Sequence, residues 1–358
     1  MRIIGHLDMD AFFAAAGERE KPWLAGLPIV VGADPKGWAG RGVVSTANYK
    51  AREYGICSAM PISKAWRFSE AAKKKGLPPA MFLGGDFRLY AEISENVMAI
   101  LRQYSPVVEQ ASVDEAYFDL SDAGSLEKAV HIAKKIKKEI LAREKLTCSI
   151  GIGPNKLIAK IASDFEKPDG LTAVSVAEAE AFLAPMGIKK IPGVGPKTEA
   201  VFLRKGVKTV ADLKKFSKEE LERVMGKWGK ALWHKARGED DSPLETEYER
   251  KSIGEESTFE EDVSNPSLVV EELGSLSADV FHRFCRKEFR TFRTIAIKVR
   301  FSDFATTTRA RTLKTGAADV DTLKREALKL FLPFLDKREN PAKKRFRLIG
   351  VRIEKFNE

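Results

Sequence analysis

The sequence predicts a multidomain protein of the α+β class. Its 358 residues suit two to four modules better than one core. Patterns typical of strands alternate with patterns typical of helices, without an internal repeat. A polar, proline-containing stretch without periodicity, residues 239–251, divides the chain. We therefore expect a larger N-terminal part, a linker, and a compact α+β module over residues 252–358.

The first 174 residues predict a sheet with helices packed against it. An apolar strand covers residues 3–7, and the β-rich runs 107–111 and 116–120 are joined by the short link SVDE, which predicts a hairpin. Residues 125–146 repeat apolar positions at helical spacing, and the strand-like stretch TCSIGIG follows. A helix is therefore expected to cross the sheet before the chain returns as a strand.

The rest of the chain predicts a helical segment and then a second sheet. Residues 175–238 are helical in pattern and contain the loop IPGVG, which ends at Gly195. In the C-terminal module, residues 294–301 and 347–353 predict strands, and residues 268–289 and 322–335 predict helices.

The composition excludes several classes of protein. No apolar run reaches the roughly 20 residues of a membrane span, and the N-terminus lacks a secretory pattern, so we expect a cytoplasmic protein that does not contact membranes. Three cysteines without CxxC spacing predict reduced, mostly buried thiols and no zinc site. Four scattered histidines give no support to a hydrolase triad. The net charge of +10 indicates a polyanionic partner, with nucleic acid as one option.

Three carboxylates are the candidate catalytic and metal-binding groups. Asp8 ends the first strand, and Asp114 and Glu115 lie in the turn of the predicted hairpin. A sheet could bring them together at one edge, where divalent cations would relieve their repulsion. Two ions about 3.5–4 Å apart could then clamp a phosphoryl displacement. The alternative is that the Asp-Glu pair is ordinary solvated surface. Asp10 is expected to cap the following helix, and Ser112 to shape the turn.

A second set of side chains suits a triphosphate. Thr46, Tyr49 and Arg52 recur at a spacing of three, which places them on one face if the segment is helical. Lys167 adds a point charge, and arginine can bind phosphate with two hydrogen bonds. Alternatively, Tyr49 packs in a core and Arg52 caps a helix.

Two features predict contact with a DNA backbone. The loop IPGVG and the following Pro-Lys fit a helix-hairpin-helix, in which Gly193, Gly195 and Lys197 would hold a phosphate, although an ordinary interhelix turn is the alternative. Between residues 283 and 314, ten basic residues face two acidic ones, Glu288 and Asp303. Strand alternation would array Lys298 and Arg300 on one face of a strand, and Arg309 and Arg311 on one face of its neighbour. A phosphate backbone could lie along them, and such binding weakens steeply with salt.

The motifs together resemble a known family over almost the whole chain. They are HLDMDAFFAA, VVSTANYKAREYGICSAMP, ASVDEAYFDLS, SIGIGPNKLIAKIASDFEKPDGLTAV, IPGVGPKT, RKSIGEESTF, KVRFSDFATTTRARTL and RLIGVRI. In content and order they resemble the Y-family DNA polymerases, in the branch called DinB or DNA polymerase IV.

The resemblance implies a right hand with an added little finger. Palm is expected at 1–10 and 81–174, fingers at 11–80, thumb at 175–238 and the little finger at 252–358. It implies a low-fidelity, template-directed DNA polymerase for translesion synthesis, which adds dNTPs to a primer 3′-hydroxyl and releases pyrophosphate. Two Mg²⁺ ions, or Mn²⁺ in their place, are implied as cofactors.

The resemblance also assigns residues. Asp8, Asp114 and Glu115 match its metal carboxylates, with the Met9 carbonyl as a further ligand, and Thr46, Tyr49, Arg52 and Lys167 match its triphosphate contacts. Phe13 matches the steric gate that excludes a 2′-hydroxyl, with core packing as the alternative. The implied partners are primer-template DNA and dNTPs. A monomer is the simplest expectation. Sliding-clamp binding is expected of the family, although no clamp peptide is recognised in the sequence.

Two rival functions remain at the level of the sequence. A noncatalytic DNA-binding member of the family would make the three carboxylates superfluous. A nucleotide cyclase or another palm-type phosphoryl transferase would leave the IPGVG loop and the basic strands without a role. Stimulation by primer-template DNA separates the polymerase from the second rival.

Overall fold

The computed structural model describes residues 1–287 and 289–357. Glu288, which was counted in the charge balance, and Glu358, the last residue of the expected little finger, lie outside the described residues. The chain forms two compact units, Met1–Glu247 and a second unit from Tyr248 onward. Their boundary falls inside the predicted linker, whose residues 239–251 adopt neither helix nor strand.

The N-terminal unit alternates strands and helices along its whole length. Its strands are β1 (Ile4–Met9), β2 (Ile29–Gly32), β3 (Val44–Ala47), β4 (Met81–Leu83), β5 (Val108–Gln110), β6 (Glu115–Asp119), β7 (Cys148–Gly153) and β8 (Leu171–Ala173). Its helices are α1 (Phe12–Glu20), α2 (Tyr49–Glu53), α3 (Ile62–Lys74), α4 (Phe87–Tyr104), α5 (Leu126–Glu144), α6 (Lys156–Ser163), α7 (Ala179–Leu183), α8 (Pro196–Leu203), α9 (Val210–Leu213), α10 (Lys218–Met225) and α11 (Lys227–Lys235).

A five-stranded sheet in the order β5-β6-β1-β7-β8 carries the candidate carboxylates. The predicted hairpin is confirmed, because β5 pairs antiparallel with β6. β1 lies between β6 and β7 and pairs with both. It extends two residues beyond the expected end at residue 7, because the ladders on its two sides continue through Asp8 and Met9. Asp8 therefore lies within the strand rather than beyond it.

The alternation of β1 separates the core from the site. Leu7 and Met9 join the core that α4 and α5 cover, whereas His6 and Asp8 project to the opposite face. Gly5 lies on the core side directly opposite Phe118, whose ring comes within 2.4 Å of the place that a Cβ would occupy. The glycine lets this ring lie under the strand.

A smaller sheet, in the order β3-β2-β4, follows α1. β4 pairs parallel with β2, so residues 81–83 lie in the same sheet as the expected fingers. The boundary at residue 81 was drawn from the resemblance, and it separates β4 from its partner strand. Domain limits by residue number stay predictions.

Residues 175–238 are helical as expected, with α7 to α11 packed around Leu183, Phe202, Leu221 and Leu232. Of the three cysteines, Cys148 is buried, but Cys57 and Cys285 are exposed, so the expectation of mostly buried thiols is wrong. Cys57 lies in the segment that follows α2, and Cys285 is the last residue of a helix in the second unit. Both thiols are free.

The second unit is a four-stranded antiparallel sheet with helices on one face. Its elements are β9 (Ser252–Val263), α12 (Pro266–Cys285), β10 (Thr291–Phe301), β11 (Thr306–Ala317), α13 (Val320–Phe331) and β12 (Phe346–Asn357), and its strand order is β11-β10-β12-β9. The helix predicted to reach residue 289 ends at Cys285, and Phe289 instead packs its ring on Phe356. Among the described residues, no helix is long and apolar enough to cross a membrane.

Candidate active site

Two carboxylates face each other across neighbouring strands. Asp8 on β1 pairs directly with Glu115, the first residue of β6. Directly opposed residues of an antiparallel pair project to the same face, with Cβ atoms about 4.5–5.5 Å apart. Asp8 is 9% exposed and Glu115 is partly buried. The fold therefore places two like charges side by side in a partly dehydrated position.

Each of these carboxylates is held by a lysine. Lys167 Nζ lies 2.5 Å from Asp8 Oδ1, and Lys160 Nζ, on α6, lies 2.6 Å from Glu115 Oε2. Burial raises the pKa of Asp8 to about 7, with Lys167 opposing the rise and Glu115 adding to it. Although burial opposes it, the Asp8 carboxylate raises the pKa of Lys167. The site is thus a pair of carboxyl groups, each in contact with one ammonium group.

His6 lies beneath this pair. Its side chain is fully buried, with Nδ1 2.7 Å from Ser163 Oγ and Nε2 3.7 Å from Glu115 Oε2. The Ser163 hydroxyl also donates to the Lys160 carbonyl at 2.8 Å, and His6 Nε2 faces Glu115. Burial lowers the pKa of His6, and the ring together with Lys160 holds the pKa of Glu115 well below its usual range. His6 and Lys160 were missed in the sequence because strand and helix approach each other only in the fold.

Asp114 and Met9 join the site through the hairpin turn. The Met9 N–H donates to the Asp114 carbonyl, and the Met9 side chain is buried. Ser112 shapes the turn, as expected: its hydroxyl donates to Asp114 Oδ1 at 2.6 Å and accepts from the Glu115 N–H at 3.0 Å. Among residues 1–287 and 289–357, no group of three potential metal-ligating side chains converges. The carboxylates are instead turned to their separate partners.

Asp10 does not cap a helix, so that expectation is wrong. α1 is preceded by Ala11 in a left-handed conformation, without a side-chain cap. The Asp10 carboxylate is buried and accepts from the Ser149 hydroxyl and from the Asp169 N–H, both at 2.8 Å. These donors come from distant parts of the chain, which local sequence does not reveal.

The predicted triphosphate residues come from a strand and a helix. Thr46 lies in β3, and Tyr49 and Arg52 lie in α2, so the expectation of one shared helix face is wrong for Thr46. Asn48 caps α2 by accepting from the Ala51 N–H at 3.0 Å. The chain therefore changes from strand to helix at Asn48, between Thr46 and Tyr49. The Arg52 guanidinium lies 4.7 Å from the centre of the Tyr49 ring. Burial raises the pKa of Tyr49 to about 12, which keeps its hydroxyl protonated.

Phe13 lies at the start of α1 and is half-buried. Its ring stacks on Tyr90 with centroids 4.2 Å apart and meets Phe87 edge-on at 6.2 Å. Phe87 is 73% exposed, so the aromatic cluster reaches the surface. Phe13 therefore packs on Tyr90 at the margin of the core and keeps part of its ring exposed.

The IPGVG loop presents exposed backbone before α8. Gly193 has φ +97°, and a Cβ there would lie 3.3 Å from the Trp228 ring. Gly195 precedes α8, which begins at Pro196, and Gly193, Gly195 and Lys197 are all exposed. Positive φ and the close ring both favour glycine at residue 193.

The basic strands of the second unit do not present one surface. Arg309 and Arg311 pair with Ile297 and Ile295, which lie in the core beneath the helices. Lys298 and Arg300 alternate with these isoleucines and project to the other face of the sheet. Arg309 and Arg311 form ion pairs with Glu339 and with Glu326, on α13, at 2.6 and 3.1 Å. Lys298 pairs with Glu256, and Arg300 donates to Thr306.

Models of one protein family match most of the chain. A model described as the impB/mucB/samB family matches residues 7–164, and the model of its C-terminal domain matches residues 250–358. A model described as the DNA polymerase-iota thumb domain matches residues 189–240. DNA polymerase IV of Methanoculleus marisnigri is 44% identical over 352 residues, which are 98% of this chain and 94% of the relative. DNA polymerase IV 2 of Methanosarcina mazei is 44% identical over 358 residues, 100% and 93% of the two chains.

Solved structures give the same result. A Y-family DNA polymerase chimera of Dbh and Dpo4 superposes with a TM-score of 0.86 at 29% identity, covering 99% of both chains. DinB from Sulfolobus solfataricus, also 29% identical and covered to 99% on both sides, gives a TM-score of 0.63.

The chain therefore belongs to the impB/mucB/samB family, the Y-family DNA polymerases. It is a DNA polymerase of the DinB type, and the predicted fold, with a thumb and a little finger, is confirmed. Polymerases of this family generally use divalent metal ions.

Proposed function

We propose that this polymerase performs template-directed, low-fidelity translesion synthesis by two-metal phosphoryl transfer. Its substrates would be dNTPs and primer-template DNA. The observation that carries the mechanism is the direct pairing of Asp8 with Glu115, each with its own lysine. Such an arrangement holds negative charge ready for cations while limiting repulsion in their absence.

The donors in this site suit a hard divalent cation. They are carboxylate oxygens, with a backbone carbonyl at Met9 in reach of the same strand end, and magnesium favours a few carboxylates together with substrate phosphates. Asp8, Asp114, Glu115 and the Met9 carbonyl would hold the ions. Bound there, two Mg²⁺ ions, or Mn²⁺, supply activation of the primer 3′-hydroxyl and neutralisation of the leaving pyrophosphate. Ion binding would free Lys167 and Lys160 from their present partners.

The nucleotide would be held by side chains around this site. Lys167, Arg52, Tyr49 and Thr46 offer two cations and two hydroxyls to a triphosphate. Lys167 reaches Asp8 already, so a phosphate that takes over this ammonium would lie next to the carboxylates. Phe13, backed by Tyr90, would close the space beneath the sugar and select dNTPs over rNTPs.

The protein would bind the DNA backbone and would not recognise the base sequence. The exposed backbone at Gly193 and Gly195 and the Lys197 side chain suit a phosphate. On the little finger, Lys298 and Arg300 lie on the sheet face opposite the helices, and Arg309 and Arg311 lie on the helix side. All four stay predictions as DNA contacts; Arg309 and Arg311 are exposed, and Lys298 and Arg300 are partly buried.

Primer extension tests the proposal directly. Wild type and Asp114→Ala/Glu115→Ala are compared with dNTPs, Mg²⁺ and a labelled primer-template, with DNA binding measured in parallel. We expect extension by wild type, and loss of extension with retained binding in the variant. Templates carrying an abasic site or a bulky adduct then test lesion bypass, and misinsertion rates test fidelity.

The second candidate is a noncatalytic DNA-binding member of the family. Wild type that binds DNA but never extends it would establish this alternative, and the metal assignment would fall with the polymerase. A monomeric state, a cytoplasmic location and a sliding clamp as partner stay predictions.

A further inference from the structure

The buried Asp10 carboxylate joins three segments around the proposed nucleotide site. Its Oδ1 accepts from the Ser149 hydroxyl of β7 at 2.8 Å, and its Oδ2 accepts from the Asp169 N–H, in the loop after α6, at 2.8 Å. The Tyr49 hydroxyl, on α2, donates a long hydrogen bond of 3.4 Å to Oδ1. Asp10 is only 3% exposed.

The loop that carries Lys167 is held from several sides. Ser149 Oγ also accepts from the Gly170 N–H at 3.1 Å, so the hydroxyl links Asp10 to this loop a second time. Lys137, on α5, donates to the Asp169 carboxylate at 2.7 Å and to the Gly170 carbonyl at 3.0 Å. A Cβ at Gly170 would lie 2.6 Å from the Glu166 carbonyl oxygen, so the loop folds closely on itself. The Lys167 backbone is thereby fixed close to Asp8.

We propose that Asp10 is a positioning residue that sets Tyr49 and Lys167 at the correct separation for a triphosphate. This inference rests on the proposed function of those two side chains. A carboxylate can accept several hydrogen bonds at once, which an amide or hydroxyl of the same size cannot do in this geometry. Asp10 fixes the Lys167 loop through Asp169 and orients the Tyr49 hydroxyl, which stays protonated and able to donate.

Asp10→Asn is the first test, because it keeps the size and removes one acceptor. The Asn amide group would point a donor at the Asp169 or Ser149 donor. Because the Lys167 loop and the Tyr49 hydroxyl lose part of their anchor, we expect the Kd of the incoming dNTP to rise about tenfold, which corresponds to about 1.4 kcal/mol. In single-turnover incorporation, the maximal rate should change less than about threefold, since a tenfold effect on binding needs no effect on chemistry.

A double-mutant cycle separates positioning from general damage. Lys167→Ala alone should weaken dNTP binding, and Asp10→Asn should weaken binding less in the Lys167→Ala background than in wild type, because part of the Asp10 effect passes through the Lys167 ammonium. Ser149→Ala should give a smaller effect in the same direction. Additive effects of Asp10→Asn and Lys167→Ala on the dNTP Kd would overturn the inference.

Glu144→Gln supplies a matched control. Glu144 is also a buried carboxylate, 7% exposed, but it pairs with Arg19 at 2.8 Å at the end of α5. It should lower the melting temperature without changing the dNTP Kd. If Asp10→Asn behaves the same way, its role is structural only and the inference is wrong. If it instead raises the Mg²⁺ requirement and abolishes the chemical step, Asp10 is a metal ligand and the inference is again wrong.

The two proposals fail differently. Wild type that does not extend a primer would overturn the proposed function and this inference with it. Wild type that extends a primer, beside an Asp10→Asn variant with unchanged dNTP Kd, would overturn the inference alone.

Discussion

Lys160 and Glu115 form an ion pair of 2.6 Å that joins α6 to the first residue of β6. The pair occupies a carboxylate oxygen that a cation would need. If Glu115 binds a metal ion as proposed, Lys160 would compete with that ion for the Glu115 carboxylate.

We expect Lys160→Met to lower the Mg²⁺ concentration needed for half-maximal extension, because the competing ammonium is gone. An effect of about twofold to tenfold corresponds to a partly exposed ion pair of roughly 1 kcal/mol. Lys156→Met is the matched control, since Lys156 lies one turn away on α6 and pairs with Glu109. A Mg²⁺ dependence that moves equally in both variants would contradict this competition.

The raised pKa of Asp8 predicts a pH-dependent stability of the metal-free protein. With a folded pKa of about 7 against an ordinary 3.8, Asp8 binds a proton in the folded state that the unfolded state has already released. Its stabilising contribution is therefore present below pH 4 and is lost as the pH rises to about 7. Between these pH values, the melting temperature of wild type should fall relative to that of Asp8→Asn. Added Mg²⁺ should reduce the difference at pH 7.5, and a constant difference at all pH values would contradict the shift.

Phe13→Val should admit ribonucleotides, because the smaller side chain leaves room for a 2′-hydroxyl. We expect the preference for dNTP over rNTP, measured as the ratio of kcat/KM values, to fall by about a hundredfold or more, as removal of the steric barrier permits. Phe87→Ala is the control, since Phe87 meets Phe13 edge-on and is exposed. If Phe13→Val discriminates between dNTP and rNTP as wild type does, Phe13 is not the steric gate and only packs in the fold.

The two faces of the little-finger sheet predict different salt effects. Lys298→Ala/Arg300→Ala should reduce the slope of log affinity against log salt by up to about 1.8, because each phosphate that the protein no longer neutralises lowers the slope by roughly 0.9. Arg309→Ala/Arg311→Ala should change it less, because these arginines project to the side of the sheet that the helices cover. The opposite order would show that DNA lies on the helix side.

The sequence predicted the parts of the site that depend on local pattern. The apolar strand before Asp8 and the short link with Asp114 and Glu115 were enough to expect the three carboxylates together. Asp8 and Glu115 do pair, but Asp114 does not converge with them among the described residues. Lys160 and Asp10 were not predictable in this way. Their roles arise where α6 packs across β1 and where the loop after α6 returns to it, which periodicity does not describe.

Register explains the remaining differences. Alternation alone could array Lys298 with Arg300 and Arg309 with Arg311, but it could not say whether the two pairs share a face. One residue of shift between β10 and β11 would move every side chain of β11 to the other face. The observed pairing of Ile297 with Arg309 settles the matter.

The central position of β1 in its sheet has a consequence for local opening of the enzyme. The His6 and Asp8 N–H groups point to the same side as that of Asp10, which donates to Thr147, so their hydrogen exchange requires the ladder between β1 and β7 to open inside the sheet. α2, with five residues and one capping side chain, can fray on its own. We expect deuterium to enter the Tyr49 and Arg52 amides long before those of His6 and Asp8, so the proposed nucleotide contacts on α2 can open locally while β1 stays paired in its sheet.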